Sequence, residues 1–468
     1  MLKNKLLLIL FVLPLSIYAQ SVTLKGNAPE YAGTTFTFLT FAEQVTYTEK
    51  ELGSCLVQEN GDFSCTFETE ETLYVFLYLG TYEAFIFIEP NKEYELLLPE
   101  VKEKKLSDKL NPYFKPQQYH IGVENSSDTE LNFQLAYFDA IYSIMLEDNS
   151  LLIVNKSREL DVDAAIQKVD SLFADIDNRF FEDFKKYKYA SFRHVSYQEK
   201  MKSISNTYYL NSEILYRNPA YMDLFNQVYD EYFQYFGRTE SGKQIYKDIG
   251  KLQSITSLKK TLGQDSILTN DTLKELVILK CLHDEFYNDK FSRSTMLTVL
   301  DSLSLQTSVS EHKLIAANIR EKVTKLMIGY NPPAFELFDK DSNLVTLDSY
   351  ISKYVYLGFC TTISYACIKE FGMLQNLYEK HKDQFEIIMI CMDENLPQMK
   401  RFVEMKNYSF KFLYYGNQSD VFKDYDVRAF PTYYFIDKEG KLAISPAPSP
   451  DQNAEFTIFQ KMRANGDL

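Results

Sequence analysis

Six cysteines and five histidines are the side chains best suited to covalent or metal chemistry in this chain of 468 residues. Three of the thiols, Cys360, Cys367 and Cys391, lie near one another in sequence. A cysteine attacks a disulfide only as its thiolate, so the question is whether any of the three is activated. Cys360 and Cys367 bracket one strand-to-helix turn, which lets their sulfurs approach. Free cysteine is also among the most buried residue types, and three inert core thiols are the competing expectation. Cys55 and Cys65 form a second set. Between them Glu59-Asn60-Gly61 reads as a three-residue hairpin loop with glycine at the left-handed position. That register pairs Gln58 with Asp62 and, three steps out, Cys55 with Cys65. Either a cross-strand disulfide or two buried free thiols fits there. Such a bond would be a staple and not an active centre. His194, His283 and His312 stand apart from one another and from any cysteine-rich or acidic ligand pattern, so no metal site and no cofactor are expected. No paired-carboxylate, Ser-His-Asp or phosphate-loop pattern competes: Asp393 and Glu394 lack a nearby histidine, and the glycines are scattered.

These residues need elements to hold them, and the chain changes rhythm twice. Residues 21–118 read as a β-rich module. Thr35-Phe36-Thr37-Phe38-Leu39-Thr40-Phe41 alternates as a half-buried strand does, and Leu73–Tyr78, Ala84–Ile88 and Tyr94–Leu98 are further strands. Residues 119–328 read as helices. Ser127 and Glu130 form a capping box ahead of Leu131, Leu135, Phe138, Tyr142 and Met145. A similar stripe runs from Asp161 to Phe184. Asn218-Pro219 starts a helix that Gly237 stops. Two more helices are expected over 271–288 and 309–327. Aromatic stripes of this kind are core before they are ligand grooves. Residues 329–468 alternate short apolar strands with helices, which points to an α/β sheet. The strands are Val355–Phe359, Phe385–Cys391 and Tyr433–Asp437, and the helices are Cys367–His381 and Leu396–Met405. The expected fold class is therefore multidomain, in three parts.

Composition bounds the function. The chain is 45% hydrophobic and 25% charged, as folded proteins are, and its length suggests about three domains. Its net charge of −15 and the lack of a basic cluster argue against nucleic-acid partners. It has 70 aromatic residues but no tryptophan. At the amino terminus Lys3 and Lys5 precede the apolar run Leu6–Leu13, Pro14 ends it, and Ala19 lies near the expected cut. This is the pattern of a secretory signal peptide over residues 1–20, with a run too short to span about 30 Å of hydrocarbon. The mature chain is then expected to be exported, without a transmembrane segment, to a compartment that permits disulfides.

The stretch Tyr354–Glu370, YVYLGFCTTISYACIKE, resembles without a gap the active-site segment of the thioredoxin superfamily. The likeness is to its exported TlpA/ResA-like disulfide reductases, whose segment runs strand, FWATWCGPC, helix. Asn331–Leu337, the strand Phe385–Asp393 and the segment Asp420–Pro431 are similar to that family's leading strand, central strand and cis-proline approach. About 140 residues are covered, and the upstream regions more weakly resemble the amino-terminal parts of multidomain members from Gram-negative envelopes. The resemblance implies a thioredoxin-like fold for 329–468 and a periplasmic or envelope location. It also implies that the strands ending in Cys360 and Cys391 are neighbours. It implies that Phe430, Pro431 and Thr432, with Tyr365 near the motif, face a peptide. The family's first motif cysteine, the nucleophile, falls on Ser364, and its second falls on Cys367. The flanking tryptophans are Cys360 and Ile363. A serine hydroxyl stays protonated at neutral pH and forms no mixed disulfide, and Cys367 would be a buried, inert resolving thiol. Two functions follow as expectations. One is a non-catalytic envelope protein that docks a peptide or protein partner. The other is an oxidoreductase of altered chemistry that uses Cys367 with Cys360 or Cys391. Peroxidatic chemistry is disfavoured, because only Cys360 is placed for it and no supporting threonine and arginine accompany it.

Overall fold

A computed structural model describes residues 20–124 and 126–467. The expected signal peptide lies almost wholly outside the described residues. Nine strands build the amino-terminal module: β1 (Ser21–Asn27), β2 (Thr35–Phe41), β3 (Glu49–Leu56), β4 (Asp62–Glu68), β5 (Leu73–Leu79), β6 (Tyr82–Ile88), β7 (Glu93–Leu97), β8 (Gln117–His120) and β9 (Gly122–Val123). They form two sheets, ordered β4-β1-β7-β9 and β3-β2-β5-β6-β8. Val22, Leu24, Phe36, Phe38, Phe67, Val75 and Ile86 are buried in the core that the two sheets share. The two last strands carry the sheets past residue 118, to Val123, because β8 and β9 pair with β6 and β7.

The turn at Glu59–Gly61 forms, with the Gln58 N–H donating to the Asp62 carbonyl at 2.8 Å. Gly61 has φ +90°, and a Cβ there would lie 2.6 Å from the Pro29 nitrogen. The expected hairpin ladder does not follow, however. β3 pairs with β2 and β4 with β1, so the two strands diverge into different sheets. Cys55 and Cys65 are nevertheless bonded, with their Cα atoms 5.6 Å apart. The bond therefore ties one sheet to the other.

The helical region corrects several boundaries. The helix expected behind Ser127 starts at Leu131, and its cap is Glu130, whose carboxylate accepts from the Phe133 N–H at 2.9 Å. The stripe from Asp161 to Phe184 is two helices, Val162–Asp170 and Arg179–Val195, because Asn178 caps a new start. Asn218 and Pro219 do open a helix, but it ends at Val228. Glu231, at φ +47°, separates it from a second short helix, Tyr232–Gly237. The helix Arg293–Gln306, unseen in the sequence, lies between Asp271–Asp284 and Ser310–Thr324.

This region grips the β module. Arg217 donates to the carbonyls of Phe41 and Ala42, Asn226 to that of Gln44 and Lys322 to that of Thr46. Asn132 bonds both the N–H and the carbonyl of Phe87, at 2.7 and 2.8 Å. Val45 and Phe87 are buried in the helical core.

The carboxy-terminal domain adds β10 (Glu336–Asp339), β11 (Leu344–Thr346), β12 (Tyr354–Cys360), β13 (Phe385–Cys391), β14 (Lys411–Tyr414), β15 (Thr432–Ile436) and β16 (Leu442–Ala447). They form one sheet ordered β11-β10-β14-β13-β12-β15-β16. All seven residues of β12 are buried. Tyr354, Tyr356 and Cys360 enter one core, and Val355, Leu357 and Phe359 enter the other. That is the period of a strand covered on both faces. Gly358 is needed where β12 passes Met389 and Tyr433, since a Cβ there would lie 2.5 Å from the Met389 side chain.

The Cys55–Cys65 bond closes a short loop between two sheets. Removing it with Cys55→Ser is expected to cost roughly 2–4 kcal/mol of stability. Urea unfolding checks this: reductant should lower the midpoint of the native protein and leave the variant unmoved.

Candidate functional site

β12 runs directly into the helix Tyr365–His381, and Ser364 is its N-cap residue. Ser364 is half-buried, and its side chain makes no capping bond. Beside it Ile363 and Tyr365 are exposed, by 66% and 84%. All three thiols of this domain are fully buried, at 0% exposure. The parallel register of β12 with β13 sets Cys360 opposite Cys391. Their Sγ atoms are 3.1 Å apart, and neither is bonded.

The three sulfurs differ in acidity. Burial pushes the thiols of Cys360 and Cys391 up. Cys367 goes the other way, down to about 7, because the Cys360 thiol hydrogen-bonds its sulfur. The backbone of Thr361 and the Ser364 hydroxyl add to the shift against the opposing effect of burial. The Ser364 hydroxyl, at the start of the helix, helps to hold charge on a sulfur one turn further in.

Beneath the turn, Asp393 is 1% exposed. Its Oδ1 accepts from the Thr361 hydroxyl at 2.8 Å, the Thr362 N–H at 2.8 Å and the Thr362 hydroxyl at 3.0 Å. Burial raises its pKa. Behind the helix, Glu370 is buried and accepts from the Tyr433 hydroxyl at 2.7 Å, and burial raises its pKa as well. Glu370 follows Cys367 by three residues, which is one helical face, so its spacing carried a readable signal.

The peptide bond between Phe430 and Pro431 is cis. Phe359 pairs with Thr432 in the β12–β15 register, so Cys360 and Pro431 are the next positions along each strand. Phe430 packs edge-on against Phe422, and the Thr432 hydroxyl donates to the Ala429 carbonyl at 2.7 Å. Pro431, Thr432, Glu370 and Arg428 line a cleft of about 810 Å³. Its opposite wall is Tyr287 and Arg293, from the helical region. No sequence pattern pointed to those two residues. Tyr113 of the amino-terminal module also reaches this edge, donating to Asp426 at 3.1 Å with the Arg428 guanidinium over its ring. No group of three or more histidine, cysteine or acidic side chains suited to a metal ion occurs among the described residues.

Residues 328–445 match the AhpC/TSA family model. The thiol-disulfide oxidoreductase ResA of Bacillus thuringiensis subsp. konkukian is 34% identical over 123 residues, which are 26% of this chain and 70% of that protein. The chain belongs to the thioredoxin superfamily, in its TlpA/ResA-like branch. ResA of Geobacillus thermodenitrificans is 30% identical over 129 residues, 74% of its length. The thioredoxin domain of a thiol-disulfide oxidoreductase from Bacteroides vulgatus matches at 25% identity, over 29% of this chain and 98% of that domain, with a TM-score of 0.27. At the start of the helix that follows β12 the chain has Ser364 and, three residues on, Cys367.

The Cys367 environment predicts a titration. In the reduced protein, thiolate absorbance near 240 nm should rise with one midpoint at about 7. Ser364→Ala and Cys360→Ala should each move it toward the ordinary thiol value of about 8.5. The stability this thiolate contributes is complete above about 8.5. It is lost as pH falls through about 7.

Proposed function

We propose that this chain is an exported, thioredoxin-like envelope protein that docks an extended peptide or a protein segment and does not perform dithiol–disulfide exchange. One observation carries the reading: Ser364 occupies the helix N-cap, and every thiol of the domain is sealed from solvent. Exchange requires a thiolate to attack a sulfur in line, so a buried thiolate has no access to a substrate disulfide. Pro431 and Thr432 with the cleft beside them supply the docking edge, and the exposed apolar pair Ile363 and Tyr365 supplies a contact surface. The helical region contributes Tyr287 and Arg293 to the lining of that cleft. The leader pattern of residues 1–20 and the Cys55–Cys65 bond support export, since disulfides persist in oxidising compartments. Among the described residues no helix is long and apolar enough to cross a membrane.

Insulin reduction tests both halves of this reading. The native protein is expected to leave insulin precipitation at the buffer rate. Ser364→Cys should raise it, because the docking edge is retained and only the attacking thiol is missing. A native rate near that of a CxxC relative would overturn the non-catalytic reading, and no gain in Ser364→Cys would overturn the docking edge.

A second reading is favoured by one distance, the 3.1 Å between the sulfurs of Cys360 and Cys391. These thiols can close to a disulfide by giving two electrons and two protons to an external protein disulfide, which is reduced to a dithiol. Mass spectrometry of alkylated peptides from native protein separates the cases. The docking reading expects Cys360, Cys367 and Cys391 all to be alkylated as free thiols. A linked Cys360–Cys391 or Cys360–Cys367 peptide would favour the redox reading instead.

A further inference from the structure

The helix Leu131–Val154 buries one face and leaves a second apolar face bare. Leu131, Leu135, Phe138, Tyr142 and Met145 enter the helical core. On the other face Phe133, Tyr137, Ile144, Leu151 and Val154 are exposed, the last two by 74% and 76%. A helix that is apolar all round is ordinarily covered all round. Contiguous exposed apolar surface of this kind marks an interaction site.

The spacing of the bare residues is specific. Together with Ala140 and Glu147, which are also exposed, they recur at alternating intervals of four and three. That is the a/d seam of a coiled coil, running the length of a helix about 36 Å long. Such a seam is filled by a second helix of the same period, whose side chains enter the holes between these. The helix has no lysine or arginine, and its charges are Asp139, Glu147 and Asp148. Helices that lie on a lipid surface carry basic residues on their polar side, so a membrane is a poor cover for this one.

We propose that this face is covered by a second copy of the chain, in an antiparallel helix pair across a two-fold axis. Glu147, the one charged residue of the seam, sets the orientation. In a parallel pair of identical helices each Glu147 carboxylate would face its own copy. One antiparallel register instead pairs Phe133 with Leu151, Tyr137 with Glu147 and Ala140 with Ile144, and the axis repeats each pair. The Tyr137 hydroxyl then donates to the Glu147 carboxylate of the other copy. Tyr137 is held ready for this, with its ring stacked on Phe133 at 6.5 Å and packed on Phe173 at 5.4 Å. Small Ala140 opposite branched Ile144 lets the backbones approach near the axis. The pairing does not depend on the function proposed for the thioredoxin-like domain.

Analytical ultracentrifugation of the chain from Gln20 onward tests this. A dimer is expected at concentrations on the order of 10 µM. Ile144→Glu and Leu151→Glu each place a carboxylate in the seam and should weaken association about a hundredfold, with the far-ultraviolet circular dichroism unchanged. Should either variant not fold, Leu151→Ser is the milder replacement, and weaker association is again expected. Cysteines read the orientation: Phe133→Cys mixed with Leu151→Cys should give an interchain disulfide on oxidation, and neither variant alone should. A monomer at that concentration, or a dimer that the folded seam variants leave intact, would overturn the proposal. Self-linking of Phe133→Cys alone would overturn the antiparallel pairing. A monomer that sediments with vesicles of phosphatidylethanolamine and phosphatidylglycerol would overturn it in favour of a membrane.

Discussion

Strand β12 hydrogen-bonds to β13 on one edge and to β15 on the other, and both of its faces are covered by side chains. Few positions in a chain are so constrained. Each residue must be apolar or small, and its face is set by a period of two. Slipping the strand by one residue would turn Cys360 from the helix-facing core toward the opposite one. The register also determines what stands beside the turn: Cys391 lies across from Cys360 on one edge, and the cis-proline loop is adjacent on the other. The turn, the helix that follows and the cleft are all positioned from this strand.

A consequence is that charge and access are separated at the site. The most acidic sulfur is Cys367, stabilised by the Cys360 thiol and the Ser364 hydroxyl, yet it is sealed from solvent. Ser364 beside it is only half-buried, and its hydroxyl is not a nucleophile at neutral pH. Asp393 holds the turn from below through Thr361 and Thr362, so the loop keeps its shape without an exposed thiol.

The upstream regions are joined by more than contact. The segment between β2 and β3 is held through its carbonyls by Arg217, Asn226 and Lys322, and Val45 is buried among helical residues. Backbone carbonyls removed from water need donors, and long side chains from the helices supply them. The helical region then reaches the thioredoxin-like domain with Tyr287 and Arg293 and forms one wall of its cleft. Three regions that read as separate along the chain therefore shape one another's surfaces.

Much was legible in the residues themselves. The alternation in Thr35–Phe41, the apolar run of Val355–Phe359 and the Asn218-Pro219 start each express a local rule of backbone geometry, and each formed its element. Helix ends were less legible. Glu130 rather than Ser127 caps the first long helix, and Asn178 divides the second, because several polar residues nearby could cap and tertiary packing selects one. Hairpin pairing between β3 and β4 was not decided locally either. Their turn forms, but β3 pairs with β2 and β4 with β1, in different sheets. The sequence by itself determined the family, since that depends on residue identity at fixed spacing. Only the tertiary structure decided that Cys367 is acidic and enclosed, and that residues from the helical region wall the cleft. Those properties arise from distances between groups far apart in the chain, and local sequence rules carry no such distances.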